Sequence, residues 1–133
     1  MEVVIVGGGI AGLTFALTLH QAGIASRVYE TSAEIKAVGV GVNLLPHSTK
    51  VLGGLGLIDA LASVAVTTQE AAFFNRFGQL IHREPSGRFA GYDWPQFSIH
   101  RGDLQLVLLE AFQQRVGTDR LFLAHKCTGV TQD

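Results

Sequence analysis

The sequence predicts an α/β fold that opens β-α-β and builds a parallel sheet. Three observations carry that prediction. A β-branched run at residues 3–6 ends abruptly at glycines, as a buried parallel strand does. Apolar residues then recur at 10, 13, 16, 17 and 19, a helical period over residues 10–22 that Gly23 stops. Residues 27–30 supply a second short strand, so the glycines sit at the first strand-to-helix turn.

Composition allows such a fold and excludes several others. With 47% apolar and 16% charged residues, the 133-residue chain has enough apolar material for a packed core, and its length suits one domain. A formal net charge of -1 with no basic run argues against nucleic acid and anionic membrane as partners. One cysteine, Cys127, allows no internal disulfide and suits a reducing, cytoplasmic setting. The five histidines (20, 47, 82, 100, 125) are scattered and give no metal-ligand spacing. The stretch between Glu2 and Arg27 has no Lys, Arg, Asp or Glu and so invites a signal-peptide or membrane-span reading. Glu2 in place of a basic leader, and glycines at 7, 8, 9 and 12, argue instead for a buried soluble segment.

Beyond residue 30 the pattern changes. Residues 31–36 are polar and loop-like. Gly39 to Pro46 runs extended into a helix expected over 47–55, which Gly53, Gly54 and Gly56 end, and 57–63 makes a second short helix. Residues 70–74 and 79–83 flank Asn75-Arg76-Phe77-Gly78 and predict a β-hairpin. After a loop over 85–95, a strand is expected at 96–99. A helix follows over 103–115 with apolar positions 104, 107, 108, 111 and 112 on one face. Strands are expected at 121–124 and 128–131.

Gly7-Gly8-Gly9-Ile10-Ala11-Gly12 fits G-x-G-x-x-G at positions 7, 9 and 12. Gly7 permits the tight turn, Gly9 admits a pyrophosphate close to the backbone, and Gly12 lets helix and strand pack closely. The amides of Ile10 and Ala11 open the helix, where unpaired N–H groups and the positive dipole end attract phosphate. Glu30, closing the second strand, is placed to accept hydrogen bonds from ribose hydroxyls. A bare glycine turn with a solvated glutamate is the alternative. The strand before the glycines, the helix after them and the acid on the next strand make it the weaker one. A nicotinamide-dinucleotide domain continues with further β-α units, whereas this chain departs into a glycine-rich extended segment and a hairpin. That departure favours FAD.

Three separated segments now carry a resemblance: the glycine motif with Glu30, Gly39-Val40-Gly41-Val42-Asn43-Leu44-Leu45-Pro46, and Gln96-Phe97-Ser98-Ile99-His100-Arg101-Gly102-Asp103-Leu104-Gln105. Together they resemble the group A FAD-dependent aromatic monooxygenases, the p-hydroxybenzoate and salicylate hydroxylase family, and within it the phenazine-hydroxylating branch. The resemblance spans essentially all of the chain and corresponds to the N-terminal portion of the family. It implies a Rossmann-like FAD-binding domain with a parallel sheet and a β-hairpin excursion, residues 1–133 being the N-terminal part of it. It further implies that the backbone at Gly39, Gly41 and Val42 passes the flavin ring and that Arg101 reaches the FAD diphosphate or ribitol. Gln105 would bond the ribitol side, Lys36 would lie near the adenosine, and a strand around Cys127 would pass the adenine. In the whole family protein, NAD(P)H and O2 serve hydroxylation of a small aromatic substrate. The family's later Asp-Gly and Gly-Asp motifs and its substrate domain have no counterpart within residues 1–133. This chain alone is therefore expected to be incomplete for catalysis and, with apolar sheet surface exposed, to self-associate.

No catalytic acid, base or metal ligand is assigned. His100 reads as a strand-end residue, His47 as a helix-start residue, Asp103 as dipole compensation and Cys127 as a small buried residue on a strand. Tyr92-Asp93-Trp94 reads equally as an aromatic pocket wall or a loop anchor. Two rival functions stand beside the monooxygenase: the N-terminal unit of another FAD oxidoreductase, and a non-catalytic nucleotide-binding remnant.

Overall fold

The computed structural model describes residues 1–37 and 39–132. It divides into two compact units, Met1–Val38 with Gly102–Asp133, and Gly39–Arg101.

The first unit contains the predicted β-α-β start. Strands β1 (Glu2–Val6) and β2 (Ala25–Tyr29) pair in parallel from Glu2↔Ala25 to Val6↔Tyr29, with helix α1 (Ile10–Gln21) between them in sequence. α1 stops in a Schellman motif. Gly23 takes φ +72°, its N–H donates to His20 O, and Ile24 N–H donates to Leu19 O. A third strand, β8 (Leu121–Phe122), joins β2 in parallel, giving the order β1-β2-β8. Ile5 and Val28 are buried, as are Leu13, Ala16 and Leu17 of α1. Helix α4 (Arg101–Arg115) adds Leu104, Leu108 and Phe112 to this core. Full burial of such side chains stabilises by about 1.5–3 kcal/mol each. The alternate residues of β1, Val4 and Val6, remain 61% exposed on an edge strand.

β8 is shorter than expected, because the chain turns at Ala124 (φ +56°). Ala124 N–H there donates to Ser32 O, and His125 N–H to Glu30 O. The strand expected at 128–131 does not form; among the described residues that segment has no ladder partner.

The second unit holds an antiparallel sheet in the order β3-β7-β4, made of β3 (Gly41–Leu44), β7 (Phe97–His100) and the short β4 (Val66–Thr67). β3 and β7 run in register from Gly41↔His100 to Leu44↔Phe97. The predicted hairpin is present as β5 (Glu70–Phe74) and β6 (Leu80–Pro85). Its turn is tied by Asn75 Oδ1, which accepts from the N–H groups of Phe77 and Gln79, and Gly78 adopts φ +79°.

Helix α2 (Pro46–Gly54) closely matches the helix expected over 47–55; it runs through Gly53 and is closed at Gly56, φ +70°, in a second Schellman motif. α3 (Ile58–Ala62) follows. The reason for Gly53 is steric: a Cβ there would overlap the six-membered ring of Trp94. One turn earlier, fully buried Thr49 donates to the carbonyl of Pro95 at 2.7 Å. These two contacts fasten the loop before β7 to one side of α2, while Leu52, Leu55, Leu61, Phe97 and Ile99 form the unit's core.

Gly53→Ala is therefore expected to lower stability by about 1–3 kcal/mol, the usual cost of overpacking. In urea unfolding, pairing it with Trp94→Ala should remove most of that added cost, a coupling that simple loss of glycine would not show.

Candidate functional site

In the first unit, Gly7 closes the β1–α1 turn at φ +106°, its N–H donating to Tyr29 O at 2.8 Å. At Gly12 a Cβ would overlap the carbonyl oxygen of Gly7, so the close helix–strand approach assigned to this glycine is an actual steric requirement. A Cβ on Gly9 would meet nothing within 4 Å, and its φ of -79° suits any residue. The protein's own packing therefore does not need glycine at position 9, although a ligand approaching that backbone would. No side chain caps α1, and its first turn carries no acid. The leading amides, Ile10 and Ala11 among them, have no intrahelical acceptor by helix geometry.

Glu30 stands beside this turn. Its Oε2 accepts from Gly8 N–H at 2.7 Å and its Oε1 from Ser32 N–H at 2.8 Å. The Ser32 amide first and the Gly8 amide second hold the carboxyl below the usual carboxylate range, outweighing the opposing effect of burial. Each oxygen keeps a further lone pair for a hydroxyl donor. Gln105 Nε2 donates to the carbonyl of Gly8 at 3.0 Å, so its amide props the glycine turn. Gly8 thus ties both Glu30 and Gln105, a role the motif pattern did not assign to it. A Cβ there would lie 3.2 Å from Glu30 Cβ, and the unbroken triple glycine was the available clue.

One expectation for this unit needs correction. Cys127 is exposed and lies outside any strand, because the segment after Ala124 has no ladder partner. It lines a cavity of about 410 Å³ with Val4, Val6, Tyr29, His125 and Lys126. Tyr29 and Phe122 stack beside it at 4.8 Å between centroids. Lys36 is ion-paired with Glu34 on the surface.

In the second unit, Gly41 and Val42 open β3, and the backbone just before them is shaped by Gly39 at φ +138°. A Cβ on Gly39 would lie 3.2 Å from Arg101 Cβ. Arg101 N–H donates to Val40 O at 3.0 Å, and a ring nitrogen of His100 lies 2.9 Å from Gly39 O. His100 thus braces the Gly39 backbone, in keeping with a strand-end role. Among the described residues, no carboxylate pairs with the Arg101 guanidinium. Tyr92, Asp93 and Trp94 line a separate cavity of about 480 Å³ in this unit.

A β-α-β start with a glycine turn, an uncapped helix N-terminus and a strand-end carboxylate defines a dinucleotide-binding α/β protein. The sequence matches the family described as FAD binding domain over residues 1–133, and the chain belongs to that family. FAD is accordingly its cofactor, and the turn fits it, with open space over Gly9 and spare acceptors on Glu30. The chain is 43% identical over 119 residues to a phenazine 1,6-dicarboxylic acid hydroxylase of Lysobacter antibioticus, covering 89% of this chain and 29% of that protein. It is 35% identical over 120 residues to a 3-hydroxybenzoate 6-hydroxylase of Polaromonas naphthalenivorans, covering 86% and 29% respectively. Among solved structures, p-nitrophenol 4-monooxygenase of Pseudomonas putida shares the fold with a TM-score of 0.85 at 24% identity, over 99% of this chain and 34% of that one. The chain thus spans under a third of the length of the two sequence relatives, and the resemblance to aromatic hydroxylases is borne out at the level of family and cofactor.

The lowered Glu30 pKa links the turn to pH. Because the folded value lies below the unfolded one, the stabilisation is complete above the unfolded pKa and is lost as pH falls through the folded value. Glu30→Gln should therefore be less stable than the parent at neutral pH, with the gap in urea midpoints closing as pH drops below the usual carboxylate range. A gap that stays constant with pH would contradict the assignment.

Proposed function

We propose that this chain is the cofactor-holding part of a flavin-dependent monooxygenase that hydroxylates a small aromatic molecule with NAD(P)H and O2. The observation that carries the reading is the Gly9 turn. Its glycine is not demanded by internal packing, the helix behind it is uncapped, and a carboxylate pinned by two amides stands alongside. When bound, FAD supplies the redox chemistry, accepting a hydride and passing electrons to oxygen.

The chain's own residues bind and orient. Gly7, Gly9 and Gly12, with the amides of Ile10 and Ala11, receive the diphosphate. Glu30 takes ribose hydroxyls, and its negative charge disfavours a 2′-phosphorylated ribose. Gln105 holds the turn through Gly8 and stands for the ribitol side. Gly41 and Val42 line the flavin ring with backbone, and Arg101 meets phosphate or ribitol oxygens through its guanidinium. Cys127 and the apolar cavity beside Tyr29 serve the adenine end. Lys36 has the least support, its ammonium being paired with Glu34. Residues 1–133 serve as one functional part, and no catalytic acid or base is assigned among them. No helix among the described residues is long and apolar enough to cross a membrane. With a single cysteine, a cytoplasmic setting is the reading we adopt.

Gly9→Ala tests the assignment, because the protein has room for an added Cβ and a dinucleotide lying on that backbone would not. The purified parent should retain FAD, seen in its visible spectrum. The variant should melt at nearly the same temperature and bind FAD at least about tenfold more weakly, a loss of roughly 1.4 kcal/mol. Equal FAD affinity in the two would defeat the proposal.

The free edge of β1 supports a second reading, that this chain self-associates by pairing along that strand. Sedimentation should show concentration-dependent oligomers that Val4→Lys suppresses. A monomer at every concentration would refute it.

A further inference from the structure

The first unit holds a further cavity that belongs to none of the roles above. It has a volume of about 190 Å³ and is lined by His20, Ile24, Ala25, Ser26, Val116 and Arg120. Ala25 and Ser26 open β2, whereas Glu30 follows the other end of that strand. The cavity and the glycine turn therefore lie at opposite ends of the parallel β1–β2 pair.

Its wall contains an unsatisfied polar group. Ser26 is 3% exposed, and its Oγ has no hydrogen-bond partner among the described residues. Buried hydroxyls are as a rule bonded to protein, water or an ion, so this one calls for an occupant beside it.

The polar groups around it are chiefly donors. At the end of α1 the carbonyls of Thr18, Leu19 and His20 already accept from the N–H groups of Ala22, Ile24 and Gly23. The Ser26 hydroxyl, the His20 ring and the Arg120 guanidinium remain. Arg120 is fixed in place: its Nη1 donates to Glu2 Oε1 at 2.8 Å, and its Nε lies 3.5 Å from Asp119 Oδ2. Glu2 Oε1 also accepts from Arg27 Nε at 2.9 Å, so one carboxylate is shared between two guanidiniums. Asp119 stands largely in solvent, where its charge is screened. A guanidinium carries more N–H donors than these two pairs use.

We propose that this cavity binds a small free oxyanion of the phosphate type. The anion accepts from Arg120, from a ring N–H of His20 and from the Ser26 hydroxyl, with Ile24 and Val116 as apolar wall. Ser26 Oγ reaches it by turning between staggered positions about Cα–Cβ. The volume is below that of sites for ring-sized ligands and equals several water molecules, which suits a tetrahedral ion. The inference does not rest on the FAD assignment.

Titration calorimetry of the purified chain with inorganic phosphate, at ionic strength held constant with chloride, should give a saturable single-site isotherm. Adding FAD should leave that isotherm unchanged. Ser26→Ala removes only the unpartnered hydroxyl, so it should melt no lower than the parent yet bind phosphate about tenfold more weakly. Arg120→Gln should weaken phosphate by at least as much. Non-saturating heats would overturn the proposal, as would unchanged affinity in either variant. Phosphate affinity that falls when FAD is added would do the same, since it would assign the ion to the glycine turn.

Discussion

The approach of α1 to β1 is the constraint on which the first unit depends. It is set at Gly12, where any side chain would run into the Gly7 carbonyl. Glycine within a helix costs about 1 kcal/mol relative to alanine, and here that cost is offset by what the closeness permits. With α1 drawn in, its amino end stands at the β1–α1 turn and Leu13, Ala16 and Leu17 reach the core. Gly8 is then positioned so that its N–H meets Glu30 and its carbonyl meets Gln105. One close contact between two glycines thus organises a turn, a carboxylate and a supporting amide.

The carboxylate has two consequences that pull in the same direction. Its amide partners favour the ionised form, so Glu30 is charged when the turn is formed. Those same partners restrict its rotation, so the remaining lone pairs point from a fixed place. A hydroxyl ligand meeting a prepositioned acceptor loses less affinity to side-chain ordering than one meeting a mobile surface glutamate. This is why a strand-end acid with backbone partners is better evidence for a site than an acid at the same position with none.

What the sequence made legible follows from the range of each cause. The β-α-β start, the hairpin and the α4 core face are written in local period and turn chemistry, and all are present. The segment at 128–131 has strand-like residues, but a strand exists only where a neighbour accepts its ladder, and none of the described residues does. Cys127 followed the same error, its burial having been inferred from a strand that does not form. The part played by Gly8 was hidden because motif spacing marks which glycines admit a ligand, not which backbone groups hold the motif in place.

Gly12 and Gly53 show the limit most sharply. Both stand inside helices, and both are required because another group comes too close for a Cβ. Gly12 could be interpreted from its neighbours, since the group it accommodates is Gly7 in the same turn. Gly53 is explained only by Trp94, far along the chain, so a local view takes it for a helix end. The distinction is one of sequence distance between cause and effect, not of physical kind. A glycine that admits a distant aromatic ring fixes that ring's face against a helix. The same kind of steric allowance thus sets α1 against β1 in the first unit and Trp94 against α2 in the second.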